Sequence, residues 1–203
     1  MEELENLKIL YEKRKGSIRS FVNSCSIKDD NCLFGELCFC IMTPQSRAKY
    51  CRAAVEKLKK DKKLFKASEK ELLTYMTGVR FPMTKAQRII SAREKFPELK
   101  KRLGINQWEL RLWLAENIKG LGMKESTHFM RNIGFRDMAI IDVHIQNFLR
   151  KLGKIKENKS LTKKRYLELE KIFLDLAKEA KISPEELDIA IWLYQSKEQE
   201  FYG

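Results

Sequence analysis

A lysine, Lys124, stands where an amine is well placed for chemistry, inside KGLGMKESTHFMRNIGF, residues 119–135. The pattern is Ile118, any residue, Gly120, an apolar residue, Gly122, any residue, Lys124, and then a helix start. Gly120 and Gly122 permit backbone angles and close approaches that a Cβ would block. A helix beginning after Gly122 presents unpaired N–H groups and the positive end of its dipole, which suits a phosphate. Spacing alone leaves two readings: a sequence-independent clamp on a DNA backbone, or an ordinary junction with two turn glycines. Lys124 adds a third element. A helix N-terminus disfavours an ammonium, and an apolar cleft would act in the same direction. A neutral amine is what covalent attack on a sugar carbon needs. The competing reading is a solvated lysine in a lysine-rich chain.

Eighteen residues further on lies MAIIDVHIQNFL, in which Asp142 follows an apolar run and precedes a new helix. Its first expected role is helix N-cap. A cap carboxylate can also orient an amine and stabilise positive charge developing on a sugar ring. His144, in the first turn of that helix, reads as a structural hydrogen-bonding residue, and His128 as a packed one. The five cysteines, Cys25, Cys32, Cys38, Cys40 and Cys51, include no Cys-x-x-Cys and have no histidine nearby. They read as small buried hydrophobes. Nothing after Cys51 can supply an iron–sulfur loop, and no metal or cofactor is expected.

The elements that must position these groups are helical, because no alternating strand pattern appears. Helices are expected over 2–24 and 32–42, and TPQSRAKYCRAAVEKLKKD reads as a turn and then a basic amphipathic helix. SEKELLTYM carries a capping box, with Ser68 three residues before Glu71. Thr84 and Gln87 suggest another at the start of KAQRIISAREKF. Leu110, Trp113, Leu114 and Ile118 form an apolar stripe leading into the hairpin. Further helices are expected near 126–133, 143–152 and 161–180. A last one follows Ser183 as cap, with Pro184 at its first position. The chain is therefore all-α, with about ten helices and one linker-like piece, GKIKENKS, at 153–160.

At 203 residues, with 43% hydrophobic and 34% charged residues, the chain is long and apolar enough to build a core. A net charge of +13 suits a polyanionic partner, since neutralised phosphates release counterions. The charge is uneven. Residues 46–66 hold nine Lys/Arg against two acids and 151–165 hold seven against one, whereas 184–203 hold five acids and one lysine. No apolar run approaches the roughly 20 residues of a membrane span. The mixed-charge start, MEELENLKILYEKRK, does not read as a signal peptide. An intracellular protein with no membrane partner is expected.

Taken together, the Gly-x-Gly hairpin with its lysine and the downstream IIDVHI resemble the helix-hairpin-helix DNA glycosylase superfamily. GLGMKESTHFMRNIG, LCFCIMT upstream and RYLELEKIFLDLAKE…LDIAIWLY downstream are most similar to the compact archaeal and bacterial 8-oxoguanine DNA glycosylase/AP lyases. The resemblance implies two helical lobes: a six-helix barrel at 30–152, with the helix-hairpin-helix at about 108–133, and a lobe from both termini, 1–29 and 153–203. Double-stranded DNA with a damaged base would lie in the cleft with its target nucleotide flipped out, bound by a monomer. The resemblance makes Lys124 the Schiff-base lysine and Asp142 the catalytic aspartate. It makes Trp192 and Phe81 base-pocket aromatics, Gly120, Gly122 and Met123 contacts to the DNA backbone, and Gln45 a polar wedge. The implied activity is removal of 8-oxoguanine followed by β-elimination of the 3′ phosphate. The same fold acting on another damaged base, or a non-catalytic DNA-binding module, are the alternatives. One departure stands out: close members end in a lysine that helps read the oxidised purine, whereas this chain runs on to KEQEFYG.

Overall fold

Local start signals explain most of the helix boundaries in the computed structural model, which describes residues 2–26, 29–156 and 161–196. Ten helices form among the described residues: α1 Glu2–Ser24, α2 Asp30–Met42, α3 Ala48–Lys60, α4 Glu69–Tyr75, α5 Pro82–Arg102, α6 Gln107–Asn117, α7 Met123–Asn132, α8 Val143–Lys151, α9 Lys163–Ala180 and α10 Pro184–Gln195. None is long and apolar enough to cross a membrane. The capping box at Ser68 and Glu71 forms in both directions. Ser183 caps α10 through Glu186 N–H, with Pro184 at its start.

The expected cap at Thr84 does not form. Helix α5 begins three residues earlier than that cap implies, at Pro82, whose ring fixes a helical φ, and Phe81 before it adopts a left-handed conformation at φ 55°. Thr84 is therefore an exposed residue inside the helix. Helix α5 also runs through Pro97 to Arg102, longer than the pattern suggested.

The chain falls into two compact units, with breaks after Ser26 and after Ile133. One unit holds α2–α7, arranged around α2. Every residue of α2 from Leu33 to Met42 is buried except Glu36, and the helix packs on α3, α5 and α7. The Glu36 carboxylate accepts from both terminal nitrogens of Arg52, at 2.5 and 3.0 Å, and from Asn132 Nδ2 at 3.0 Å. Arg52 in turn stacks 4.0 Å above the Phe39 ring centroid. Cys38, Cys40 and Cys51 are wholly buried in this core. Burial pushes their thiols up, that of Cys51 to about 11.

The other unit holds α1 and α8–α10. Leu7, Ile18 and Val22 bury one face of α1, which packs on α10. Tyr11 and Arg19 both donate to Glu186 of α10. The break at Ile133 precedes the 153–160 segment that the sequence suggests as a boundary. The reason is the packing of α8: its Ile145, Phe148 and Leu149 are buried, the helix lies on α9 and α10, and Phe148 meets Tyr194 edge-on at 6.0 Å. Residues 157–160 of that segment and the KEQEFYG tail lie outside the described residues.

Candidate active site

The hairpin joins α6 to α7. Asn106 caps α6 by accepting from Trp108 N–H at 2.9 Å, and the helix closes at Ile118. Ile118 and Leu121 are both buried and fix the turn to the core. Gly120 sits at φ +97°, which L side chains rarely adopt, and a Cβ there would come within 2.7 Å of Arg88 Cδ. Gly122 is different from what the sequence suggests. Its φ of −101° suits any residue, and a Cβ there would meet only ordinary contact, 3.5 Å from Glu125 Oε2. Its N–H donates to the Glu125 carboxylate at 3.4 Å, so one donor of the helix start is already engaged.

Lys124 is the second residue of α7, and its side chain is one-third exposed (34%). Its Nζ lies 3.7 Å from Glu125 Oε1, close enough for ion pairing but not for a hydrogen bond. Met123 is half-buried, and its carbonyl accepts from Thr127 Oγ1 at 2.9 Å. His128 packs edge-on to Phe39, with ring centroids 5.7 Å apart.

Two further predicted residues, Gln45 and Phe81, come together in the same unit through a residue that sequence reasoning missed. Lys85 is buried, with 2% of its surface exposed. Its Nζ donates to Met42 O at 2.6 Å, Pro44 O at 2.8 Å and Ser46 Oγ at 2.8 Å. Met42 ends α2, so the ammonium also faces the negative end of that helix. Burial nevertheless holds this lysine below its ordinary range. The Lys85 N–H bonds Phe81 O, and Ser46 Oγ also accepts from Arg80 N–H. Gln45 and Phe81, both exposed and both left-handed at φ 58° and 55°, thus stand beside this cluster: the ammonium holds Pro44 and Ser46 on either side of Gln45, and Ser46 in turn holds Arg80 before Phe81. Left-handed backbone in ordinary residues costs about 1–3 kcal/mol each and collects at functional sites. One turn along α5 from Lys85, Arg88 lies against Gly120 of the hairpin.

In the other unit, Asp142 is half-buried and caps α8, its Oδ1 accepting from Ile145 N–H at 2.9 Å. The first turn of α8 is joined to the end of α10: Gln195 Nε2 donates to His144 O at 2.5 Å. Trp192, half-buried, lies one turn before Gln195 on α10. Asp142 and Trp192 therefore belong to two helices that are packed together. Among the described residues, no group of three or more His, Cys, Asp or Glu side chains is arranged to hold a metal ion.

Residues 14–182 match the sequence profile of the 8-oxoguanine DNA glycosylase family. The chain belongs to that family. It is 40% identical to the 8-oxoguanine DNA glycosylase/AP lyase of Aquifex aeolicus, over 97% of this chain and 89% of that protein. Its structure is similar to that of the Thermotoga maritima 8-oxoguanine DNA glycosylase, with a TM-score of 0.90 at 28% identity, covering 98% of this chain and 99% of that one. It is also similar to the Methanocaldococcus jannaschii 8-oxoguanine glycosylase/lyase in complex with a 15-mer DNA containing 8-oxoguanine. There the TM-score is 0.88 at 30% identity, over 99% of this chain and 100% of that one. The all-helical architecture is thus that of the helix-hairpin-helix glycosylases in this family.

Proposed function

We infer that this chain is a DNA glycosylase/AP lyase of base excision repair that removes 8-oxoguanine from double-stranded DNA. Its family membership along nearly the whole chain carries this reading. In support of it, Lys124 offers an amine in the first turn of α7, directly after the hairpin.

In the proposed reaction Lys124 Nζ attacks C1′ of the flipped nucleotide. The N-glycosidic bond breaks and the base departs, taking a proton, while an amine–C1′ bond forms. Opening of the sugar ring gives a protonated Schiff base. Loss of a C2′ proton then expels the 3′ phosphate by breaking C3′–O3′, and water releases the lysine. An amine rather than water as nucleophile lets base removal and strand cleavage share one site. Asp142 is the carboxylate assigned to offset the positive charge that develops on the sugar. Gly120, Gly122 and Met123 are assigned to the phosphate backbone, Phe81 and Trp192 to stacking on bases, and Gln45 to the duplex. The surface around Gln45 and Phe81 supports that assignment, being exposed and held in left-handed backbone. One chain carries both Lys124 and Asp142, so a monomer working beside DNA inside the cell suffices.

Borohydride trapping on a duplex with one 8-oxoguanine tests the reading. The expected result is a covalent adduct that is absent with undamaged duplex and absent with Lys124→Gln. Trapping only on an abasic duplex would keep the lyase but move the base specificity to another lesion. No adduct on either, with DNA binding intact, would leave a non-catalytic DNA-binding protein.

A further inference from the structure

The stretch from Phe135 to Asp142 has no regular secondary structure, yet Met138, Ala139, Ile140 and Ile141 are all buried. Buried backbone outside a helix or sheet must find its hydrogen-bond partners elsewhere. Here they come largely from one face of α9. The Glu170 carboxylate accepts from Ala139 N–H at 3.1 Å. The Tyr166 hydroxyl donates to Ala139 O at 2.6 Å and accepts from Ile141 N–H at 3.3 Å. Tyr166 and Glu170 stand four residues apart, hence one above the other on the helix, and both are buried. Two side chains thereby supply the ladder that a neighbouring strand would normally provide. The last rung falls on Ile141, the residue immediately before Asp142.

We propose that Tyr166, supported by Glu170, is a positioning residue for Asp142. The Asp142 carboxylate is then fixed from both sides: its cap bond to Ile145 N–H holds it to α8, and the Tyr166 hydroxyl holds the backbone that delivers it. A group that offsets developing charge must stay within about 0.5 Å of its working place. Misplacement by about 1 Å can cost roughly 100-fold in rate. A helix cap alone leaves the preceding chain free to pivot, and the tyrosine removes that freedom. The assignment rests on the reading of Asp142 as the catalytic carboxylate.

A double-mutant cycle on single-turnover excision of 8-oxoguanine tests it, using Tyr166→Phe, Asp142→Asn and the pair, with DNA affinity measured in parallel. Tyr166→Phe keeps the ring and its packing. The expected result is a loss of about 10- to 100-fold in rate, with DNA affinity within about twofold of wild type. In the Asp142→Asn background the same change should cost nothing further. An equal loss in both backgrounds would overturn the proposal, because the tyrosine would then act independently of Asp142. A wild-type rate for Tyr166→Phe would overturn it as well. Asp142→Asn at wild-type rate would remove the reading of Asp142 and this assignment with it, while leaving Lys124 trapping untouched. Glu170 gives a second route should Tyr166→Phe fold poorly. Glu170→Gln keeps an acceptor for Ala139 N–H and should retain the rate, whereas Glu170→Met should lose it. Equal rates for these two variants would overturn the supporting role.

Discussion

Replacing Lys85 by methionine tests the logic of the α2–α7 unit most directly. The substitution keeps the length and apolar stem of the side chain and removes only the ammonium. Three acceptors then lose the ammonium: Met42 O, Pro44 O and Ser46 Oγ, the last of which keeps the Arg80 N–H. The Met42 bond is wholly buried, so its carbonyl is left without water, at a cost of about 1–3 kcal/mol. The other two bonds are only partly buried. Water can replace the ammonium there, and their loss costs about 0.5–1.5 kcal/mol each. Removing a desolvated charge returns part of this, as the lowered pKa of the lysine indicates. The net expectation is about 2–4 kcal/mol of destabilisation. At roughly 2–4 °C per kcal/mol for a chain of this length, Tm should fall by about 5–15 °C. Thermal unfolding followed by circular dichroism measures this, with Lys49→Met, an exposed lysine, as control. A Lys85→Met protein melting within about 2 °C of wild type would refute the reasoning. The left-handed turns at Gln45 and Phe81 would then have to be held by other contacts.

Gly120→Ala should weaken duplex binding and lower stability by about 1–3 kcal/mol, because φ +97° is strained for alanine and the new methyl displaces Arg88. Fluorescence anisotropy and urea unfolding would record the two effects, and an unchanged protein would mean the hairpin relaxes freely. Gly16→Ala goes the other way: Gly16 lies inside α1 with nothing within 4 Å of its would-be Cβ, so stability should rise by about 0.5–1 kcal/mol in urea unfolding. Glu185 is buried, and desolvation raises its carboxyl above the ordinary 4.5. A raised folded-state value means its contribution is fully present below 4.5 and is lost as pH climbs through the folded value. A glutamine can still accept from Asp137 N–H but does not titrate. The stability of Glu185→Gln relative to wild type should therefore grow between pH 4 and pH 7, and a constant difference in urea unfolding would contradict this.

What could be read from the chain was what is decided locally. Ser68 with Glu71, Ser183 with Pro184, and Asp142 before α8 all announce their helix starts, because a cap bonds a donor two or three residues away. Thr84 carried the same signature and misled. Pro82 had already begun the helix, and nothing in the sequence marks Phe81 as left-handed, a conformation usually left to glycine or asparagine. Gly122 was singled out for backbone freedom that its φ does not use. Lys85 could not be distinguished among 41 basic residues, since what buries it are acceptors some forty positions upstream. Tyr166 and Glu170 look like any apolar-face and polar positions of an amphipathic helix. Their significance comes from an irregular segment some 25 to 31 residues earlier, which only the folded chain brings alongside.

The sealed thiols of the α2–α7 core bear on how such an enzyme survives its own working conditions. Oxidants attack the thiolate, and attack requires access. Cys38, Cys40 and Cys51 offer neither, being buried and held protonated. A protein that answers oxidative damage to guanine thus keeps these sulfurs chemically silent in the same surroundings that create its substrate. Among the described residues the freely exposed sulfur is that of Met83, 63% exposed and two residues from Phe81. Peroxide would convert it to a polar sulfoxide, and Cys25 and Cys32, only partly buried, are the thiols it could reach. The earliest sign of oxidative wear should therefore be oxygen gained at Met83, Cys25 or Cys32, with the three core thiols intact.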